Sequence, residues 1–127
     1  MDTPTLHSIE AKAFVPARDF ALSQRFYQAI GFTLLWSTPE LASFRHEGSS
    51  FLLQNFYVRA LAENFKMHLW VENVDAWWRQ VAIAAAPFGI PVEPPQDRPW
   101  GMRDFPLLDP SGVLWRIGQP LAAKIST

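Results

Sequence analysis

The sequence carries three histidines, His7, His46 and His68, and no cysteine. Without thiols there are no disulfides, thiolate metal sites or cysteine nucleophiles, so metal binding or proton transfer near neutral pH would fall to imidazole and carboxylate. Spacing singles out His68. It lies seven residues before Asp75, just as Lys12 lies seven residues before Asp19, and each aspartate stands where a helix N-cap is expected. A lone histidine outside such a pattern, as at His7 or His46, is more often structural. The 127 residues also include six tryptophans and ten phenylalanines, and rings beyond the needs of a small core often line ligand surfaces. For any one tryptophan, core packing is the equal alternative.

The elements that must position these side chains are legible in the hydrophobic pattern. Residues 9–16 alternate Ile9, Ala11, Ala13 and Val15 against Glu10, Lys12 and Phe14, the period of a strand. Asp19 then opens a helix whose stripe is Leu22, Phe26, Ala29 and Ile30, and Gly31 stops it. Three short strands follow at 32–36, 41–47 and 50–55, with turn residues between them. After a connection at 56–65, a strand begins at Lys66, Asp75 caps a second helix with a stripe of Trp78, Val81, Ala82 and Ala85, and Pro87 and Gly89 end it. Segments 90–94, 103–108 and 113–118 read as three more strands, the last two joined by the turn Asp109-Pro110-Ser111-Gly112. The order βαβββ therefore occurs twice, as modules of about 9–55 and 66–119, an internal repeat within an α+β chain.

Composition narrows the function. A length of 127 residues suits one domain spanning 1–127, and 49% hydrophobic with 18% charged residues is an ordinary globular balance. A net charge of -1 without a Lys/Arg cluster gives none of the footprint of a nucleic-acid binder. The N-terminal segment lacks the basic start and apolar core of a signal peptide, and no run of about 20 apolar residues occurs. A soluble cytoplasmic protein with no membrane partner is the expectation.

Three segments carry a family resemblance: VPARDFALSQRFYQAIGF, HLWVENVDAWW and PWGMRDFPLLDPSGVLWRIGQ. With the doubled module they make the chain resemble the vicinal oxygen chelate superfamily of glyoxalases, bleomycin-resistance proteins and dioxygenases. The last segment is most similar to the metal-free bleomycin-resistance branch. The resemblance implies curved mixed sheets around a cleft and a homodimer that exchanges modules or arms. In metal-dependent members, four ligands come from the first and last strands of each module. The matching positions here are Lys12, Leu52 (or Gln54), His68 and Arg116. An ammonium and a guanidinium bring no lone pair and two repelling charges, so no metal and no cofactor are expected.

Extending the alternation, the cleft faces carry Lys12, Phe14, Leu52, Gln54, His68, Trp70, Leu114 and Arg116. The resemblance adds Trp36 and Trp100 as rings that stack on a planar part of the ligand. The expected ligand-binding set is Trp36, Trp100, Lys12, Phe14, Gln54, His68, Trp70 and Arg116. Antibiotic-binding members of the branch are strongly acidic, suiting a cationic drug, whereas this partly basic cleft suits an uncharged or anionic planar compound. Several alternatives stay open. Lys12 and Arg116 could instead pair internally with Glu10, Glu72 or Glu93, and Trp77 and Trp78 belong more to core or dimer packing than to a site. His68 could serve a metal-independent enzyme as acid or base. The fold could also act as a dimerisation module only.

Overall fold

The computed structural model describes residues 3–121. It contains two four-stranded mixed sheets, each with its first strand parallel to its last. The first comprises β1 (Phe14–Pro16), β2 (Thr33–Ser37), β3 (Leu41–His46) and β4 (Ser49–Gln54), in the order β1-β4-β3-β2. The second comprises β5 (Lys66–Trp70), β6 (Gln96–Asp97), β7 (Met102–Leu108) and β8 (Leu114–Pro120), in the order β5-β8-β7-β6. Helices α1 (Phe20–Ile30) and α3 (Val74–Ala85) follow the first strand of each sheet, and a short α2 (Arg59–Glu63) lies in the connection. The doubled βαβββ order of the sequence is thus observed.

Both main helices start on a side-chain cap. Asp19 Oδ1 accepts from Leu22 N at 3.0 Å, as the sequence predicts. The second cap is Asn73 rather than Asp75, its Oδ1 accepting from Ala76 N at 3.0 Å. Asparagine caps as well as aspartate does, so α3 starts two residues earlier, and Asp75 sits in its first turn paired with Arg103. The buried stripe of α1 is Ser23, Phe26, Tyr27 and Ile30, while Leu22 is half-buried and Ala29 exposed. Tyr27 turns inward because its polar tip has partners there. Along α3, Val74, Val81 and Ala85 are buried, whereas Trp78 and Ala82 are half-buried. The Trp78 indole ends on the carbonyl of Val92.

Two expected strands are shorter than their pattern. Residues 9–13 lie outside β1, and Ile9 is fully exposed. Glu10 instead accepts from Arg45 and Ser50. Segment 90–94 is not a strand, and only Gln96 and Asp97 pair with β7. Pro91, Pro94 and Pro95 lack the N–H a ladder needs.

The core crosses from one module to the other. Trp115 of β8 packs at 5.3 to 5.8 Å from Phe51, Phe32 and Tyr27, and its Nε1 donates to the Tyr27 hydroxyl at 2.9 Å. That hydroxyl donates in turn to Asp109 Oδ2 at 2.5 Å, while Asp109 Oδ1 accepts from Ser111 N and Val113 N. Burial, reinforced by the negative charge of Asp109, pushes the Tyr27 phenol well above its ordinary pKa. Burial likewise raises the Asp109 carboxyl, against the hydrogen bonds that hold it. Next to this joint the helices meet, and Gln80 Nε2 donates to Ile30 O at 3.2 Å.

Candidate functional site on the open sheet faces

One face of each sheet packs on the core and the other is open. The strand registers fix which residues share the open faces, because directly paired residues point the same way. In the first sheet Phe14 lies opposite Leu52, and in the second His68 lies opposite Arg116. Phe14 precedes its helix cap by five residues, as His68 does. Leu52 and Arg116 each stand four residues after a turn glycine, Gly48 or Gly112. The equivalent quartet is therefore Phe14, Leu52, His68 and Arg116. The expected Lys12 is displaced by two residues because the second cap is Asn73; its true counterpart is Lys66, and Lys12 itself is exposed ahead of β1. Gln54 corresponds to Gly118.

This quartet does not fit a divalent cation, since imidazole is its one donor. Among the described residues, no three His, Asp or Glu side chains gather in a way that could hold a metal ion.

On the first sheet the open row runs Phe14, Leu52, Ser43, Trp36. Simple alternation from Leu34, which packs on the core, would turn Trp36 inward. A β-bulge between Leu34 and Trp36 adds Leu35, places Trp36 opposite Ser43 and leaves its indole 47% exposed. Ser43 is fully buried, and its Oγ has no partner. Gln54 and Leu52 are half-buried.

On the second sheet the open face is polar. His68 and Arg116 lie side by side, and the Trp70 indole donates to His68 Nδ1 at 3.3 Å. Asp104, opposite Gly118, is fully buried. Its Oδ1 accepts from Arg98 Nε at 2.8 Å and from Arg116 Nη1 at 3.3 Å. Gly118 has to be glycine, since a Cβ there would sit 2.6 Å from Asp104 Cβ and 2.9 Å from Arg103 O. Trp100 stands in the turn from Arg98 to Gly101, which Gly101 closes with φ +88°. The Arg98 and Arg116 guanidiniums lie 6.0 and 5.7 Å from its ring centre. The indole is 59% exposed and walls a groove of about 560 Å³ with His68, Trp70, Pro99, Met102 and Pro120.

The expected residues are thus divided between two surfaces. His68, Trp70, Trp100 and Arg116 come together on the second sheet. Phe14, Gln54 and Trp36 share the first, and the Trp100 groove does not include them. The internal partner of Arg116 is Asp104, not Glu10, Glu72 or Glu93. His46 packs edge-on against Trp77 at 4.8 Å, beside a separate groove of about 730 Å³ at the start of α3.

The sequence matches the Glyoxalase/Bleomycin resistance protein/Dioxygenase superfamily over residues 6–117. The chain belongs to this superfamily. Its fold is similar to that of a bleomycin-binding protein solved in complex with bleomycin, with 22% identity, a TM-score of 0.73, and 88% of this chain and 98% of that one covered. It is also similar to TnmS3, an antibiotic binding protein from Streptomyces sp. CB03234, with 24% identity, a TM-score of 0.71 and coverage of 91% and 99%. A lactoylglutathione lyase from Agrobacterium tumefaciens aligns as well, at 18% identity, a TM-score of 0.65 and coverage of 91% and 95%. No curated protein sequence matches the chain. Binding proteins and an enzyme alike share the superfamily fold, so function has to be argued from the site.

Within the superfamily fold, sequence reasoning missed Arg98 and Asp104. Asp104 lies inside the P-W-G-M-R-D-F element, which was informative for the fold; its role depends on a pairing with Arg98 and Arg116 that no linear spacing reveals. Among the described residues, no helix is long and apolar enough to cross a membrane.

Proposed function

We propose that this chain is a metal-free binding protein that holds a planar aromatic compound against Trp100. The observation that carries the reading is the second sheet's open face, where an exposed indole walls a groove beside a quartet whose one metal donor is His68. A large rigid ring gives contact area at small entropic cost, and an aromatic pair adds about 0.5 to 1.5 kcal/mol beyond area burial. His68, Trp70 and Arg116 line or flank the same space and would fix polar groups. Resemblance to antibiotic-binding proteins supports the same reading.

The other half of the site would come from a second copy. Phe14, Leu35 and Trp36 leave an apolar face on the first sheet, and a homodimer that sets this face against its partner's second sheet would clamp the ligand between Trp36 and Trp100. Lys12 and Gln54 would lie at the edge of that clamp.

Titrating planar heteroaromatic compounds while following tryptophan fluorescence tests the proposal. Trp100→Ala should weaken binding about tenfold or more, and Trp36→Ala by a similar factor if the dimer completes the site. Unchanged affinity in Trp100→Ala would remove the ring from the site. Equilibrium dialysis against zinc should leave the protein without stoichiometric metal, and sedimentation should give twice the chain mass.

A further inference from the structure

Asp104 faces two guanidiniums with one carboxylate. Arg98 and Arg116 both reach Oδ1, while Oδ2 is buried without a partner. Arg98 adds a second bond, from Nη2 to the Asp104 carbonyl at 3.4 Å, whereas Arg116 contacts Asp104 through Nη1 alone, so only Arg116 lacks a two-pronged contact. Among the described residues, Asp104 is the sole hydrogen-bond partner of the Arg116 side chain, which is 38% exposed. Arg103, on the neighbouring position of β7, makes the contrast: its guanidinium is matched by two carboxylates, Asp75 and Asp97. An uncompensated positive charge is thus confined to the cluster beneath Trp100. The same two guanidiniums lie 6.0 and 5.7 Å from the centre of that indole, so a group that docks beside the ring meets their positive field.

We propose that Arg98 and Arg116, held in place by Asp104, form an acid-binding subsite, so that the aromatic compound bound at Trp100 carries a carboxylate or a similar anionic group. The inference rests on the binding reading above and narrows its ligand class. Arg116 is the direct contact, since the planar fork of a guanidinium matches both oxygens of a carboxylate. Arg98 and Asp104 are positioning residues: Arg98 takes the shorter bond to Oδ1, and this leaves Arg116 more loosely held, beside His68, which lines the groove.

Three probes of one shape separate the possibilities: 2-naphthoate, 2-naphthamide and naphthalen-2-ylmethylammonium, each titrated calorimetrically into the full chain. The naphthoate should bind about tenfold tighter than the amide, and the ammonium weakest. Arg116→Gln should bring the naphthoate to within about twofold of the amide, whereas Arg116→Lys, which keeps the charge and loses the fork, should retain part of the preference. Added sodium chloride should weaken the naphthoate and leave the amide unchanged, a readout that needs no variant. If the amide binds as tightly as the acid, or the ammonium binds tightest, the acid-binding subsite is overturned while aromatic binding at Trp100 stands. Failure of all three to bind would overturn both.

Discussion

The two sheets have the same strand order, the same parallel pairing of first and last strands and the same side-chain-capped helix, yet their open faces are opposite in character. Where the first presents Phe14, Leu52 and Trp36, the second presents His68, Arg116 and, beneath them, Asp104. The repeat therefore preserves the scaffold and leaves the open positions free to diverge. An apolar face with an aromatic ring suits contact area, and a face with excess cationic charge suits orientation of a polar group. One chain carries both kinds of surface, at equivalent positions of its two modules.

The sharpest way to break this comparison is at one pair of equivalent positions. Gly118→Ala forces a Cβ against Asp104 and the Arg103 carbonyl, so it should cost about 2 to 3 kcal/mol. Its counterpart Gln54→Ala should cost about 0.5 kcal/mol or less. Urea midpoints of the two variants would measure the asymmetry, and equal costs would show that the second face is not closely packed.

Next come the two buried polar atoms without partners. Asp104→Asn removes the charge that holds Arg98 and Arg116. Because both arginines reach solvent, the loss should be about 1 to 2 kcal/mol, below that of a fully buried broken pair. Ser43→Ala deletes a hydroxyl that bonds to nothing, and should be neutral within about 0.5 kcal/mol. Thermal melts of both variants decide whether the contrast in polarity is also one in stability.

The smallest effect tests the joint between the modules through pH. Because burial raises the folded-state pKa of Asp109, its contribution to stability is full below the ordinary carboxylate range, about pH 4, and is lost as pH rises through the raised value. Asp109→Asn removes this dependence. The stability gap between wild type and variant should therefore narrow as pH rises from acidic toward neutral, and a gap that widens would reverse the assigned direction.

How much of this was legible in the sequence differs between fold and site. Asp19, Gly31 and the Asp109–Gly112 turn act locally, through groups a few residues away, and were readable from residue type. So was the doubled element order, because alternation and helical spacing are local too. The second cap failed on a local ambiguity: Asn73 and Asp75 are both good capping residues, and choosing the later one displaced the matched quartet onto Lys12. The Asp104 cluster and the Tyr27 joint were not readable, since each joins residues that only the sheets bring together. Trp36 was assigned to the site by resemblance, and the bulge that turns it outward carries no signal in the alternation of Thr33 to Ser37.

That bulge has a second consequence. β2 is an edge strand of its sheet, and a regular edge offers unpaired amides and carbonyls to any other strand, the usual beginning of aggregation. The extra residue breaks the ladder where another chain would have to dock. At the far edge of the other sheet the same hazard is met differently, by a strand of only two residues set between Pro95 and Pro99. Deleting Leu35 would keep the Trp36 ring on its present face while making the edge regular, and the expected outcome is a fully folded protein that loses solubility as its concentration rises.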